Sequence, residues 1–403
     1  MAAKGTGMGF DFTVDERVID WQGRIRVLLD EVVFPLEQQA FEEGVTDELR
    51  VRLQQAAREH GVWAPLAPVA HGGGGFALDE AAVLLEEAGT SLLGPLALNC
   101  AAPDEGNVHL LEQVATPEQR DRFLSPLAAG EVRSCFAMTE PVPGAGSDPA
   151  ALRTRAVRVA GGWRVDGLKH LITGADGAAF AIVMAAGGNE DGSGATMFLV
   201  DTHNPGWVVQ GHARTIDRMS LGGHCQVRID GVVVPDAQVL GEPGLGFRYA
   251  QVRLAPARLT HCMRWLGAAR RAHEIALRRA VGRELFGSPL TGLGMAQALI
   301  ADNEIDLHAA RAMIWHTAWL LATGSKGSEE SSRTKVFVSE AVGRIVDRSV
   351  QLAGGMGTSD ELVIGRTYAE IRSFRIYDGS SETHRMSIAT RAARRAGAVD
   401  SPR

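Results

Sequence analysis

The period of the hydrophobic residues changes twice along this chain of 403 residues. A helical period of about 3.6 residues runs from about residue 13 to residue 127. Short apolar segments bounded by Gly, Pro, Asn or Asp follow to about residue 240, and long helical segments return from about residue 246. This order lacks the alternation of strands and helices that a Rossmann or TIM architecture requires. The sequence therefore predicts an α+β protein whose strands are gathered in the middle of the chain.

Helix signals are explicit in the first segment. The sequence Thr116-Pro117-Glu118-Gln119 places a capping Thr before a Pro at the first helical position and a Gln three residues after the cap, which predicts a new helix. Apolar residues recur near the helical period at Val18, Ile19, Trp21, Ile25 and Leu28, and again at Leu49, Leu53 and Ala57 before a stop at Gly61.

The middle and last segments predict a small antiparallel β domain followed by a helical bundle. Alternating residues at 152–159, a Gly161-Gly162 turn and short apolar runs at 180–184, 197–200 and 227–234 indicate strands. Long helices are expected at about 246–281, 295–324, 333–353 and 381–396. The predicted domains are residues 1–132, 133–245 and 246–403.

Charge and composition exclude several classes of protein. Lys and Arg number 41 against 48 Asp and Glu, a formal net charge of −7, which argues against binding to nucleic acid or an anionic membrane. No apolar run approaches the ~18 residues of a membrane span, and the N-terminal residues lack a signal-peptide pattern. The four cysteines show no C-x-x-C spacing, and the histidines do not cluster, so we expect a reducing, cytoplasmic location and no metal site.

Five segments carry the functional signal, although each alone is typical of a loop or of core packing. The first, at 135–148, leaves a strand and enters a glycine-rich turn whose amides and hydroxyls could hold an anionic group. The others are Lys169-His170-Leu171-Ile172-Thr173-Gly174, Arg283-Glu284-Leu285-Phe286-Gly287, Gln351-Leu352-Ala353-Gly354-Gly355-Met356-Gly357 and Tyr377-Asp378-Gly379-Ser380-Ser381-Glu382. Their order and spacing resemble the acyl-CoA dehydrogenase family over about residues 61–395.

The segments at 99–107, 134–141 and 261–264 resemble one branch of that family in particular. In animals this branch is fused to an aminoglycoside-phosphotransferase-like kinase domain. The resemblance implies an N-terminal helical domain, a central β domain and a C-terminal four-helix bundle, with FAD held between the β domain and the bundle. It also implies an acyl-CoA substrate, an electron-transferring flavoprotein as electron acceptor, and a homo-oligomer, either a dimer or a tetramer.

The resemblance also assigns roles to individual residues. Phe136, Met138 and Thr139 match contacts to the flavin ring, Gly146 and Ser147 match contacts to the pyrophosphate, and Thr173 matches a hydroxyl near flavin N5. Arg283 and Phe286 match a pair that reaches the FAD of a neighbouring subunit. Gln351, Gly354, Gly355 and Ser380 match positions along the adenosine and pyrophosphate of the cofactor.

Asp378 takes the position of the catalytic base, where the family usually has Glu. The implied reaction removes an α proton from a thioester while the β hydrogen leaves as hydride to flavin N5. Aspartate reaches roughly 1.5 Å less far than glutamate, and a misplacement of ~1 Å can cost ~100-fold in rate. Some family members carry the base on an earlier helix, but that position is Ala257 here. The next residue, Arg258, matches an arginine that supports the active-site loop.

Other departures from the family pattern leave two alternatives open. Two residues are inserted between Glu140-Pro141 and Gly144, Leu171 replaces a tryptophan, and Gly294 and Glu382 each replace a glutamine. A flavin oxidase or monooxygenase of the same fold, such as a nitroalkane oxidase, also uses Asp as its base. A scaffold that binds FAD without turnover is the third possibility. The dehydrogenase is the leading prediction.

Overall fold

The computed structural model describes residues 13–189 and 192–397. Eight helices come first: α1 (Glu16–Leu28), α2 (Phe34–Glu43), α3 (Asp47–Glu59), α4 (Leu78–Ala88), α5 (Gly94–Ala97), α6 (Asp104–Val114), α7 (Pro117–Gln119) and α8 (Ser125–Ala128). One-turn π-helical segments, Leu29–Val33 and Arg120–Leu124, join α1 to α2 and α7 to α8.

Side-chain caps fix where these helices begin. The Asp15 carboxylate accepts a hydrogen bond from the Arg17 amide at 2.7 Å and starts α1. At α7, Thr116 Oγ1 accepts from the Gln119 amide at 3.3 Å, and Gln119 Oε1 accepts from the Thr116 amide at 3.1 Å. This reciprocal pair confirms the predicted capping box.

An eight-stranded sheet occupies the middle of the chain. Its strands are β1 (Ser134–Ala137), β2 (Arg155–Val159), β3 (Gly162–Thr173), β4 (Phe180–Ala186), β5 (Ala195–Asp201), β6 (Trp207–His212), β7 (His224–Pro235) and β8 (Val239–Leu240), in the order β6-β7-β3-β2-β4-β5-β8. The prediction of an antiparallel sheet needs one correction, because β4 pairs in parallel with β1 and, through one residue pair, with β2. Long connections from β1 and β2 to β4 allow this, since parallel strands cannot be joined by a tight turn.

Both faces of β4 are buried. Ile182 and Met184 pack into a core shared with the helices, whereas Ala181 and Val183 pack with Phe198 into a second core on the other face of the sheet. Because successive side chains point to opposite faces, a continuous apolar run is what a strand covered on both sides requires. The central strand β4 is therefore packed on both faces.

The helical bundle consists of α9 (Gly246–Gly282), α10 (Gly294–Ala322), α11 (Ser328–Ala353), α12 (Val363–Ile371) and α13 (Ser381–Arg395), with a small hairpin of β9 (Glu284–Leu285) and β10 (Ser288–Pro289) after α9. Four of these helices were predicted within a few residues, and the short α12 was missed. Within the described residues, no helix is both long and apolar enough to span a bilayer. The α+β fold class is confirmed.

Candidate active site

The turn that carries Asp378 is held by three helices. Asp378 has a φ of +55°, a left-handed conformation that Asp tolerates better than most residues. Its carbonyl accepts from Arg258 Nε on α9 at 2.9 Å and from His384 Nε2 on α13 at 3.1 Å. Lys335 Nζ on α11 donates to the Gly379 carbonyl at 2.7 Å. The backbone of this turn is therefore fixed before any ligand binds.

The protonation state of His384 agrees with its contact to the Asp378 carbonyl. Burial lowers the pKa of His384 to about 4, so the ring is neutral at pH 7. A neutral ring has one N–H, and a contact with the Asp378 carbonyl requires that N–H at Nε2. His384 is therefore a donor to the Asp378 turn.

His261 on α9 faces the carboxylate of Asp378, with Nε2 lying 3.4 Å from Oδ2. Burial and the nearby charges of Arg264 and Arg253 lower the pKa of His261 well below its ordinary value, so this ring is also neutral. Arg264 lies 3.1 Å from Nδ1, and a guanidinium can only donate, so Nδ1 is the acceptor. The single N–H of His261 therefore lies on Nε2, the ring nitrogen that is 3.4 Å from Asp378 Oδ2.

An aromatic group packs around His261. The ring of Tyr377 lies 4.8 Å from that of His261, and Phe374 packs against both. Tyr377 Oη accepts from Trp265 Nε1 at 2.5 Å. Because these side chains are held by one another, the imidazole has little freedom to turn away from the carboxylate.

Arg253 connects the three parts of the chain at this point. Its Nε donates to Asn107 Oδ1 at 2.8 Å, and Asn107 Nδ2 donates to Ser134 Oγ at 2.9 Å. The guanidinium carbon of Arg253 lies 4.2 Å from the ring centre of Phe136. The residue predicted to contact the flavin ring is thus on the sheet edge that faces α9, the helix that supports Asp378.

The other residues predicted to contact the flavin ring lie on neighbouring segments. Thr139 is exposed just after β1, and its carbonyl accepts from the His170 amide of β3 at 3.0 Å. Thr173 lies at the end of β3, where its Oγ1 is 2.9 Å from His224 Nδ1. The ends of β1 and β3 therefore present Phe136, Met138, Thr139 and Thr173 on adjoining backbone.

Glu140 shapes the glycine-rich turn that follows. Its amide donates to the Ala145 carbonyl at 2.7 Å, and its carboxylate accepts from the amides of Ala145, Arg153 and Thr154. The two inserted residues therefore bulge outward at Val142, which is 97% exposed. Because the turn closes on Glu140, the insertion does not displace the backbone that leads to Gly146 and Ser147.

A buried lysine also holds the Glu140 carboxylate in place. Lys169 Nζ lies 3.0 Å from Glu140 Oε1 and donates to the carbonyls of Met138 and Met184 at 3.0 and 2.7 Å. The side chains of Lys169 and Glu140 are 0% and 2% exposed. The backbone amides and the lysine outweigh burial and lower the pKa of Glu140 to about 2. Both charges are therefore compensated by direct partners.

Five of the residues predicted to contact the cofactor lie far from Asp378 of the same chain. From Arg258 to the end of α9 there are 24 helical residues, about 36 Å at 1.5 Å per residue. Arg279 Nε donates to the Ala353 carbonyl at 3.0 Å, which brings the ends of α9 and α11 together. The residues at this distant end are Arg283, Phe286, Gln351, Gly354 and Gly355. They cannot share one flavin ring with Asp378 of the same chain.

The residues present fit the FAD that the resemblance implies. A Cβ added at Gly146, Gly354 or Gly355 would meet no atom of the described chain within 4 Å, so a ligand can approach each backbone closely. Phe286 is 95% exposed and has a φ of +54°, which holds an aromatic side chain out from the fold. Ser380 Oγ caps α13 by accepting from the Thr383 amide at 3.2 Å.

Sequence reasoning missed several residues of this site. His261, Arg253, Lys335 and His224 received no role, and neither did the Lys169–Glu140 pair. Two of the four lysines in the whole sequence, Lys169 and Lys335, are fully buried. The rarity of lysine in an arginine-rich chain was the signal that could have found them.

Comparison with known proteins points to the same family as the sequence motifs. Models of the N-terminal, middle and C-terminal domains of acyl-CoA dehydrogenases match residues 16–131, 135–232 and 244–393. FadE2 of Mycobacterium tuberculosis, described as a probable acyl-CoA dehydrogenase, is 33% identical over 396 residues, which covers 94% of this chain and 96% of FadE2. Acyl-CoA dehydrogenase family member 11 of Gallus gallus is 31% identical over 391 residues, covering 91% of this chain. The match covers 49% of that protein, so the chain spans about half its length.

A solved structure has the same fold. Glutaryl-CoA dehydrogenase from Mycobacterium smegmatis in complex with FADH2 superimposes with a TM-score of 0.83 at 25% identity, covering 94% of this chain and 95% of that one. The match to family member 11 confirms the predicted likeness to an animal branch. The three domain models together cover most of the chain, and this protein therefore belongs to the acyl-CoA dehydrogenase family.

Proposed function

We propose that this FAD-dependent oxidoreductase removes two hydrogens from an acyl-CoA thioester to form the trans-2-enoyl-CoA, with Asp378 as the base. The observation that carries the proposal is the carboxylate of Asp378, set on a fixed turn beside the neutral N–H of His261. Only one oxygen of this carboxylate, Oδ2, lies beside His261, and an ionised carboxylate can accept a proton on the other oxygen. Bound FAD would supply the hydride acceptor for the β hydrogen.

Each side chain then has a separate task. Asp378 Oδ2 lies 3.4 Å from His261 Nε2, and Oδ1 is the oxygen that we assign to take the α proton of the thioester. Arg258 and Lys335 hold the backbone carbonyls of Asp378 and Gly379 and keep their charges within a buried site. Aspartate is shorter than glutamate, so its carboxylate depends more closely on the position of the backbone. The contacts from Arg258 and Lys335 fix that position.

His261 is proposed as a positioning residue for the base, and its replacement tests that role. We expect His261→Phe to lower the rate of flavin reduction by about 10- to 100-fold, because the carboxylate loses the donor that orients it. His261→Gln retains an N–H at a similar place and should recover part of the rate, which a loss of packing alone would not explain. A wild-type rate of flavin reduction in His261→Phe would remove His261 from this role.

We further propose that a second copy of the chain completes the cofactor site. The distance along α9 separates Arg283 and Phe286 from their own Asp378, and the exposed Phe286 ring has room to reach a neighbouring subunit. An electron-transferring flavoprotein is the proposed electron acceptor, and a homo-oligomer the proposed assembly.

Arg283→Ala should weaken cofactor binding and assembly together. Loss of a charge-assisted hydrogen bond is expected to raise the Kd for FAD by about 10- to 100-fold. Flavin fluorescence titration and sedimentation at several protein concentrations measure the two effects. Arg278→Ala, in the last turns of α9 five residues before Arg283 and also exposed to solvent, is the matched control. Full FAD occupancy in a stable oligomer of Arg283→Ala would contradict a contact across subunits.

The reaction class is tested by offering short, long, branched and 4-hydroxy acyl-CoAs with either an artificial electron acceptor or oxygen. We expect an enoyl-CoA product with the artificial acceptor and little oxygen consumption. Rapid oxygen consumption would instead indicate an oxidase, and FAD binding with no product from any thioester would indicate the scaffold.

A further inference from the structure

Three polar side chains run from the end of β3 to an open cavity on the surface. Thr173 Oγ1 lies 2.9 Å from His224 Nδ1, and His224 Nε2 lies 3.2 Å from Asp217 Oδ2. His224 and Asp217 both line the cavity, which has a volume of about 490 Å³. The predicted flavin contact is therefore connected to solvent by hydrogen bonds.

The directions of these hydrogen bonds follow from the ionisation of Asp217. Burial opposes that ionisation, but hydrogen bonds from His224 and Thr215 outweigh it and lower the pKa of Asp217 to about 2. The carboxylate can only accept, so His224 Nε2 carries the proton. In the neutral ring, Nδ1 is then an acceptor, and the Thr173 hydroxyl donates to it. The lone pairs of Thr173 Oγ1 remain open to a donor on its other side.

We propose that Thr173, His224 and Asp217 form a proton relay that carries the proton of flavin N5 to the cavity when the reduced cofactor is reoxidised. The inference rests on the proposed function and on the match of Thr173 to the hydroxyl near flavin N5. With FAD bound, Thr173 Oγ1 would take the N5 proton and pass its own proton to His224 Nδ1, while two electrons go to the acceptor. The imidazolium would be stabilised by Asp217 and would release its Nε2 proton to water in the cavity, which leaves the other proton on Nδ1. One proton and two electrons leave the reduced flavin in each turnover, and exchange of the ring protons with water restores the Nε2–H tautomer of His224.

Several other charged or titratable groups face the cavity or the relay. Arg214 and Arg218 line the cavity. His212 lines it as well, but its Nε2 is paired with Asp176 at 3.0 Å. On the inner side, Glu370 accepts from the Arg218 amide at 2.7 Å, and burial raises its pKa to about 7. Asp217 is thus the acidic group in direct contact with His224.

The relay is tested without any acyl-CoA. The purified FAD-loaded enzyme is reduced by light and then mixed rapidly with ferrocenium, a one-electron acceptor that carries no proton. Flavin absorbance reports reoxidation, and phenol red in weak buffer reports proton release. We expect His224→Gln and Thr173→Val to slow both signals by about 10- to 100-fold and the wild type to show a solvent deuterium isotope effect. His212→Gln, which alters the same cavity outside the relay, should change neither signal by more than about twofold.

A second readout is independent of turnover. Nitrogen NMR of histidine-labelled protein without added flavin should show His224 as the Nε2–H tautomer, and Thr173→Val should shift its Nδ1 signal. Wild-type reoxidation rates in both relay variants, or an Nδ1–H tautomer of His224, would overturn the proposal. Because no thioester is used, failure of the proposed dehydrogenation appears separately, as an enzyme that reoxidises normally but that acyl-CoA cannot reduce.

Discussion

Asp378→Asn is expected to retain FAD and to reduce it with acyl-CoA at least about 10³-fold more slowly than the wild type. The amide cannot accept the α proton, whereas its size and the backbone contacts of the turn are preserved. Arg258 and His384 contact the carbonyl of residue 378 rather than its side chain, so the turn should keep its shape. Stopped-flow absorbance of the flavin under anaerobic conditions measures this rate.

The matched control is Glu382→Gln, four residues away in the same segment. Glu382 lies in the first turn of α13, has no proposed role, and loses its charge in the same way. We expect its reduction rate to stay within about twofold of the wild type. Equal rates in Asp378→Asn and the wild type would remove Asp378 as the base. Loss of FAD from Asp378→Asn would show that the turn needs the charge, in which case binding and catalysis would have to be measured separately.

Lys169→Met should produce the largest loss of stability, about 3 to 5 kcal/mol. The side chain is fully buried, and its removal takes the countercharge from the Glu140 carboxylate and a hydrogen-bond donor from the Met138 and Met184 carbonyls. Breaking a buried pair costs more than the pair contributes, because one charge stays in a medium of low polarity. The turn from Glu140 to Ser147 depends on that carboxylate, so the affinity for FAD should fall as well.

Urea unfolding at a fixed excess of FAD measures this loss for Lys169→Met, Glu140→Gln and the double variant. Removing both charges should cost less than the sum of the two single changes, because the residues are in direct contact. Lys326→Met, at an exposed lysine, should change stability by no more than about 0.5 kcal/mol. A loss of less than 1 kcal/mol in Lys169→Met would contradict a stabilising role for the pair.

The order of helices and strands could be predicted because it rests on local signals. Hydrophobic periods, the cap at Thr116 and the turn at Gly161-Gly162 act over a few residues, and each is visible in the sequence. Parallel pairing of β1 with β4 could not be predicted, because it joins residues about 46 positions apart. The short α12 was missed since nine residues hold too few turns for a clear period.

In the candidate active site, too, local motifs could be predicted and contacts between distant residues could not. The motif around Asp378 predicted the base, and the structure shows the donors that hold the backbone of this turn, from Arg258, Lys335 and His384. His261 lies on α9 one turn after Ala257, the position where some relatives carry their base. No sequence pattern linked His261 to Asp378, because 117 residues separate them and only folding brings the side chains within 3.4 Å. Pairs of this kind can be found only from coordinates.

The most direct test of the account is an anaerobic titration of the purified, FAD-loaded protein with a panel of acyl-CoAs. The account predicts that at least one thioester bleaches the visible band of oxidised flavin in the wild type and that none bleaches it at a comparable rate in Asp378→Asn. A wild-type protein that binds FAD but is bleached by no thioester of any chain length or branching would contradict the assignment of this site to acyl-CoA dehydrogenation.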